Sequence, residues 1–301
     1  MTDTADVVIV GAGIMGVSTA YHLARRGAGR VVVVERDGIC EGSTALASGG
    51  IRHQYANRIG IELTLNVIET FERFEDEFGV DPQFRQHGYL ILAATEAELA
   101  LARKNLALQR SLGVDVTLLS PEETGRRFPY LDTGDLLGAS YSPRDGYADP
   151  YLVTTAMAAR ARELGVEIRT GVEVTGVRRS GTRVEGVTTS ARPIDAPVVV
   201  LAAGAWSARV GRLAGIDVPV SPLRRSKFIT APFPFEHIPR PRPSSSTRTR
   251  ASRCAARARG SCSASAGATT RPRSRPIRTG VSPSPWSSAP CTAPPRWPTH
   301  R

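Results

Sequence analysis

The 301 residues, 41% of them hydrophobic, suffice for one large domain or two modest ones with a real core. The formal net charge of +11 is uneven: residues 241–301 hold 12 Arg and no Lys, Asp or Glu, leaving 27 basic against 28 acidic groups in the first 240. A body of net charge −1 does not call for an anionic partner, so nucleic acid is not expected there. No run of 18 apolar residues occurs, and the N-terminus is acidic where a secretory leader would be basic, so neither a membrane nor export is expected. The four cysteines form no Cys-x-x-Cys pair, which gives no basis for a zinc site or a disulfide framework and makes a reducing cytoplasm the expected compartment.

Val7-Val8-Ile9-Val10 is a short β-branched run that reads as a buried parallel strand. It leads directly into Gly11-Ala12-Gly13-Ile14-Met15-Gly16, a G-x-G-x-x-G, and then into a helix over 14–26 with Val17, Ala20, Tyr21 and Ala24 on one face. Val31-Val32-Val33-Val34-Glu35 follows as a second buried strand ending in an acid. In such a unit Gly11 permits the turn out of the strand, Gly13 lets backbone approach a pyrophosphate, and Gly16 packs the helix on the sheet. The helix N-terminus offers free amides and a positive dipole end. Glu35 can accept from a ribose and disfavours a 2′-phosphate. The ordered series of strand, motif, helix, strand and acid points to an α/β dinucleotide-binding fold.

A loop of small residues, EGSTALASGGIRHQY, runs from Glu41 and suits close approach to a bulky, extended cofactor. Residues 59–78 read as one amphipathic helix with Ile59, Leu63, Ile68, Phe71, Phe74 and Phe78 inward. A strand at 88–93 and a helix at 96–112 come next. Ser120-Pro121-Glu122-Glu123 is a capping box with proline at the first helical position, and Asp149-Pro150 opens another helix in the same way. Short strands broken at Gly171 and Gly181 fill 166–187, and 196–207 reads as a buried strand turning into a helix. The four histidines of the body, His22, His53, His87 and His237, are scattered and suggest no metal centre or Ser–His–Asp arrangement.

With VVIVGAGIMG, VVVVER, the EGSTALASGGIRHQY loop, RQHGYLILA, SPRDGYADP, GVEIRTGVEVTGV and VVVLAAGAWS in this order, residues 5–235 resemble the D-amino-acid oxidase superfamily of FAD-dependent oxidoreductases. The sarcosine oxidase and glycine oxidase branch is the most similar. The resemblance implies a glutathione-reductase-type FAD-binding domain over 1–80 and 146–216, and an incomplete α+β substrate domain over 81–145 and 217–240. It implies that Gly11, Gly13, Gly16, Glu35 and Arg36 hold FAD. Ser43, Thr44, Gly49 and Gly50 would wrap its pyrophosphate and flavin, Val174 would meet the adenine, and Ala203 and Gly204 would lie beside the adenosine half. Arg52 matches the arginine that holds the substrate carboxylate, a task suited to a guanidinium. His53 and Tyr55 could line the same site, and Arg225 and Lys227 could place positive charge near the flavin. Ala45 and Leu46 stand where some relatives carry a histidine joined to flavin, so non-covalent FAD is expected. The implied reaction is oxidation of the C–N bond of a secondary amine or amino acid, with oxygen or another acceptor taking the electrons.

The motifs stop near Pro239. Residues 241–301 hold 12 Arg, 12 Ser, 10 Pro, 9 Ala and 7 Thr, a composition that cannot bury enough apolar surface to offset ordering entropy. Such a low-complexity tail is expected to be disordered. It reads either as a basic arm that binds nucleic acid or as a stretch translated out of frame. Twelve Arg with no Lys favour the second reading, and with it a chain whose catalysis is impaired or lost and which keeps only FAD binding.

Overall fold

A computed structural model describes residues 3–223 and 244–247. Strand β1 (Asp3–Thr4) leads to β2 (Val7–Val10), helix α1 (Ile14–Arg25) and β3 (Val31–Val34). After β4 (Gly50–Ile51) come α2 (Arg58–Glu72), α3 (Phe74–Phe78), β5 (Tyr89–Ala93), α4 (Glu96–Ser111), β6 (Thr117–Leu119), α5 (Pro121–Arg127), β7 (Gly138–Ser142) and β8 (Gly146–Tyr147). Helix α6 (Pro150–Glu163) then returns to β9 (Glu167–Arg169), β10 (Val174–Ser180), β11 (Arg183–Thr189), β12 (Ile194–Asp195) and β13 (Val198–Leu201). A 3-10 turn (Gly204–Trp206), α7 (Ser207–Leu213) and β14 (Ser244–Thr247) complete the described elements.

The central sheet is parallel, in the order β13-β2-β3-β9, with Val7 between Val198 and Val31. Strands β2 and β3 are apolar and buried at every residue because both faces are covered. Val7, Ile9, Val31 and Val33 pack with Val17, Ala20 and Tyr21 of α1 and Met157, Ala158 and Ala161 of α6. Alternate residues Val8, Val10, Val32 and Val34 pack instead with Val174, Val187 and Ile194 of the second sheet, β1-β12-β11-β10. The turn from β2 to α1 therefore opens at the carboxyl edge of a fully clamped sheet, which fixes its position.

A third sheet, β14-β5-β7-β6, buries Leu90, Leu92, Ala139 and Tyr141 against Phe128 on one face. Tyr89, Ile91 and Ser140 alternate with them in register and face the other way. A two-stranded ribbon of β4 with β8 joins the small-residue loop to the segment before α6.

One expectation about the elements is corrected. The amphipathic helix breaks at Arg73 into α2 and α3, and Ile59 and Leu63 lie at 70% and 62% exposure. Ile68, Phe74 and Phe78 are buried as expected, but Ile61 takes the inward position in place of Ile59 and Leu63, because α2 packs against α4 through Ile61, Leu65 and Leu106. Four residues of the low-complexity tail, Ser244–Thr247, form β14, paired in parallel with β5 from Ser244↔Tyr89 to Thr247↔Leu92. A free strand edge offers unpaired amides and carbonyls, so it can recruit a segment through backbone bonds that demand no apolar side chains. Arg225, Lys227 and His237 lie outside the described residues, as does the rest of the tail.

Candidate functional site

The turn out of β2 is set by Gly11, whose φ of +110° is closed to other residues and whose added Cβ would sit 2.6 Å from the Ala202 carbonyl oxygen. Gly16 carries the helix past this turn, since a Cβ there would meet the Gly11 oxygen at 1.9 Å. Helix α1 starts with no acid in its first turn and no side-chain cap from Gly13. Its positive end is complemented from outside, by the Thr44 hydroxyl accepting the Ile14 amide at 3.2 Å. Thr44 thus caps the helix and forms part of the cradle. A Cβ on Gly13 would come within 3.1 Å of the same oxygen and narrow that cradle.

These residues line a cavity of about 410 Å³, a volume in the range of cofactor sites. Glu35 stands at the end of β3 with both carboxylate oxygens anchored: Oε2 accepts the Ala12 amide at 2.7 Å and Oε1 accepts the Asp37 amide at 2.9 Å. Each oxygen retains a second lone pair with which to accept a ribose hydroxyl. Arg36 bonds Asp37 through Nε and Nη2 at 3.0 and 2.8 Å, and its guanidinium carbon lies 5.1 Å from the centre of the Trp206 ring. Asp37 pushes the Arg36 guanidinium further up in pKa, so it stays charged. Gly11, Gly13, Ser43, Thr44, Val174, Ala203 and Gly204 also line this cavity.

Gly16, Gly49 and Gly50 do not line it. Gly16 acts from behind, as described. Gly49 has φ +72°, and a Cβ there would lie 2.0 Å from the Ala148 oxygen, so its smallness serves the junction with α6. Gly50 pairs with Tyr147 in the ribbon.

Sequence reasoning did not single out Trp206, Asp37, Glu173 or Arg209, all of which line the cavity. Trp206 follows Ala203-Gly204 so closely that a strand ending in that turn must deliver the indole to the same rim. Nothing local marks Glu173 or Arg209, which meet across the rim at 3.5 Å. Cys40 is buried in left-handed backbone (φ 67°), with its amide on the Ala12 oxygen at 3.1 Å. Burial pushes its thiol up in pKa, as befits an inert residue.

Arg52 lines a second cavity, of about 260 Å³, with Gln54, Tyr55, Ile91, Gln109 and Ser140. Its guanidinium carbon lies 5.2 Å from the Tyr55 ring centre and 5.6 Å from that of Tyr89. Among the described residues no carboxylate pairs with it. The neighbouring His53 is buried and turned away to Asp145, 2.7 Å from Nδ1, so it lines neither cavity. No cluster of potential metal ligands occurs among the described residues.

The first cavity fits the adenosine and pyrophosphate part of FAD on its own chemistry: a helix N-terminus with no acid in its first turn, a glycine cradle and an anchored carboxylate that can accept a ribose hydroxyl. Comparison with known proteins leads to the same cofactor. The family described as FAD dependent oxidoreductase matches residues 6–287, past Pro239 where the motifs stop. Mouse (Mus musculus) mitochondrial sarcosine dehydrogenase is 32% identical over 236 residues, covering 76% of this chain and 26% of that protein. Sarcosine oxidase subunit beta from Arthrobacter sp is 34% identical over 221 residues, covering 71% and 55%. The crystal structure of L-proline dehydrogenase from P.horikoshii superposes with a TM-score of 0.72 at 31% identity, covering 82% of this chain and 65% of that one. The chain therefore spans between about a quarter and two thirds of the proteins it resembles. By its βαβ cradle and by this match, the chain belongs to the FAD-dependent oxidoreductases of the D-amino-acid oxidase type.

Proposed function

We propose that the chain oxidises the C–N bond of a secondary amine or amino acid, with non-covalent FAD as the cofactor and Arg52 as the anchor for the substrate carboxylate. When bound, FAD supplies an isoalloxazine that accepts a hydride equivalent; the protein supplies binding and orientation. The observation that carries the reading is Arg52 itself. It is a permanent cation held between two tyrosine faces, with no carboxylate partner among the described residues, in a cavity of its own. The tyrosine faces stabilise the guanidinium without occupying its donors, which are left to grip a carboxylate in a bidentate manner. The names of the relatives, sarcosine dehydrogenase, sarcosine oxidase and L-proline dehydrogenase, support an amino acid carrying an N-substituent.

Cofactor binding and turnover are separate expectations. The full chain mixed with FAD and freed of excess is expected to be yellow, and a colourless protein overturns the cofactor assignment. Anaerobic addition of sarcosine, proline or glycine is expected to bleach the flavin absorption with at least one of them, and reoxidation by oxygen or by a dye then separates oxidase from dehydrogenase. Yellow protein that no amine bleaches leaves a flavin-binding remnant without catalysis.

A further inference from the structure

The deepest buried polar cluster lies beside Arg52 and takes no part in the reading above. Asp145, in the turn between β7 and β8, is fully buried, and His53 is 2% exposed. The Asp145 Oδ1 accepts the His53 backbone amide at 2.9 Å and the Ser142 hydroxyl at 3.2 Å, and it lies 2.7 Å from His53 Nδ1. Asp145 thus meets His53 at both its backbone amide and its ring. Its other oxygen accepts Gln54 Nε2 at 3.3 Å. Gln54 Nε2 also donates to the Tyr89 carbonyl at 2.8 Å, while Gln54 Oε1 accepts the Ser140 hydroxyl at 2.5 Å. The Asp145 carbonyl in turn accepts the Gly88 amide at 2.9 Å.

We propose that Asp145 is a positioning residue for Arg52, acting through His53 and Gln54 on one side and through the backbone of Gly88 and Tyr89 on the other. The two residues that follow Arg52 are both tied to one carboxylate. Tyr89, one of the two tyrosines beside its guanidinium, is tied to the same carboxylate through Gln54, and its neighbour Gly88 is tied to the backbone carbonyl of Asp145. The cation and one wall of its aromatic clamp therefore share a single buried reference point. A carboxyl group that holds three donors and a ring nitrogen in a dry site is a rigid anchor, because every alternative arrangement leaves a buried donor or acceptor unpaired. The inference rests on Arg52 being the carboxylate anchor.

The test uses the full chain loaded with FAD and benzoate as the probe, its binding read from the perturbation of the visible flavin spectrum. Asp145→Asn places an amide donor where a carboxyl oxygen accepts; Gln54→Met removes three hydrogen bonds at nearly constant volume and covers the case in which the first variant does not fold. Both are expected to raise the benzoate Kd of the flavin-loaded fraction by about tenfold or more, the usual effect of removing a supporting hydrogen bond behind a ligand-binding group. A merely structural role would lower flavin content and melting temperature and leave that Kd unchanged, which overturns the proposal. Arg52→Met is the arm that separates the two ideas. If it leaves benzoate binding intact, or if the parent chain shows none, the carboxylate anchor falls and the positioning role falls with it. If Arg52→Met abolishes binding while both other variants bind as the parent does, only the positioning role falls.

Discussion

Glu35 is held in place before any ligand arrives. The amides of Ala12 and Asp37 fix its two oxygens, so a ribose finds acceptors that need no reorganisation. Glu35→Gln exchanges one acceptor oxygen for a donor that must face a backbone N–H. It is expected to weaken FAD binding by roughly tenfold, about 1.4 kcal/mol, the scale of one hydrogen bond to a charged group. Titration of apoprotein with FAD by flavin fluorescence measures this, and unchanged affinity would detach Glu35 from the ribose. Glu35 and Gly11 were readable in the sequence because their task is set by neighbours within one βαβ unit. Asp145 was not readable: its partner His53 lies 92 residues away, and only tertiary packing makes the turn and the loop adjacent.

At the scale of elements, α5 and α6 start where local chemistry says they should. Asp149 accepts the amides of Tyr151 and Leu152 at 2.8 and 3.0 Å ahead of Pro150, and Ser120 exchanges both capping-box bonds with Glu123. Asp149→Ala is expected to cost about 1 kcal/mol and to lower the melting temperature by a few degrees, with FAD content unchanged at low temperature. A loss of bound FAD at 4 °C would show that α6 and the cofactor cradle are coupled more tightly than one cap. Caps were legible because they involve residues two or three apart. The first turns of α2 were not: Ile59 and Leu63 fit a helical stripe with Ile68 as well as Ile61 does, and the packing of α4 decides between them. The parallel pairing of β14 was equally hidden, since backbone edge pairing leaves no side-chain signature.

Across the whole molecule, an acidic and basic cluster fastens the N-terminus to the central sheet. Arg30 bonds Asp3 at 3.0 Å and Glu167 at 2.8 Å, and Arg169 bonds Glu167 at 2.7 Å and Asp3 at 2.5 Å. Burial pushes the Asp3 carboxyl up, but the Arg169 and Arg30 guanidiniums more than offset this and hold it below its ordinary 3.8. The Arg169 hydrogen bond, reinforced by Arg30, holds Glu167 below its ordinary 4.5. A carboxylate depressed on folding contributes stability that is complete above its unfolded value and is lost as pH falls through its folded one. The melting temperature is therefore expected to hold from pH 7 to about 5 and to fall once pH drops below 4.5. Arg169→Met should flatten that fall, and an equal slope in parent and variant would remove this cluster from the acid response. The partition of charge between body and tail was plain in the composition; the pairing of Asp3 with β9 required the fold.

Cys40 is the sole cysteine among the first 240 residues, and its amide is bonded to Ala12 within the glycine turn. Its buried thiol therefore works as a clock for the opening of the loop over the nucleotide site. Alkylation followed at this one peptide by mass spectrometry should be slow in the free protein and slower still with ADP or FAD bound. The ratio of the two rates measures how firmly the ligand shuts the loop, without requiring that the chain turn over any substrate.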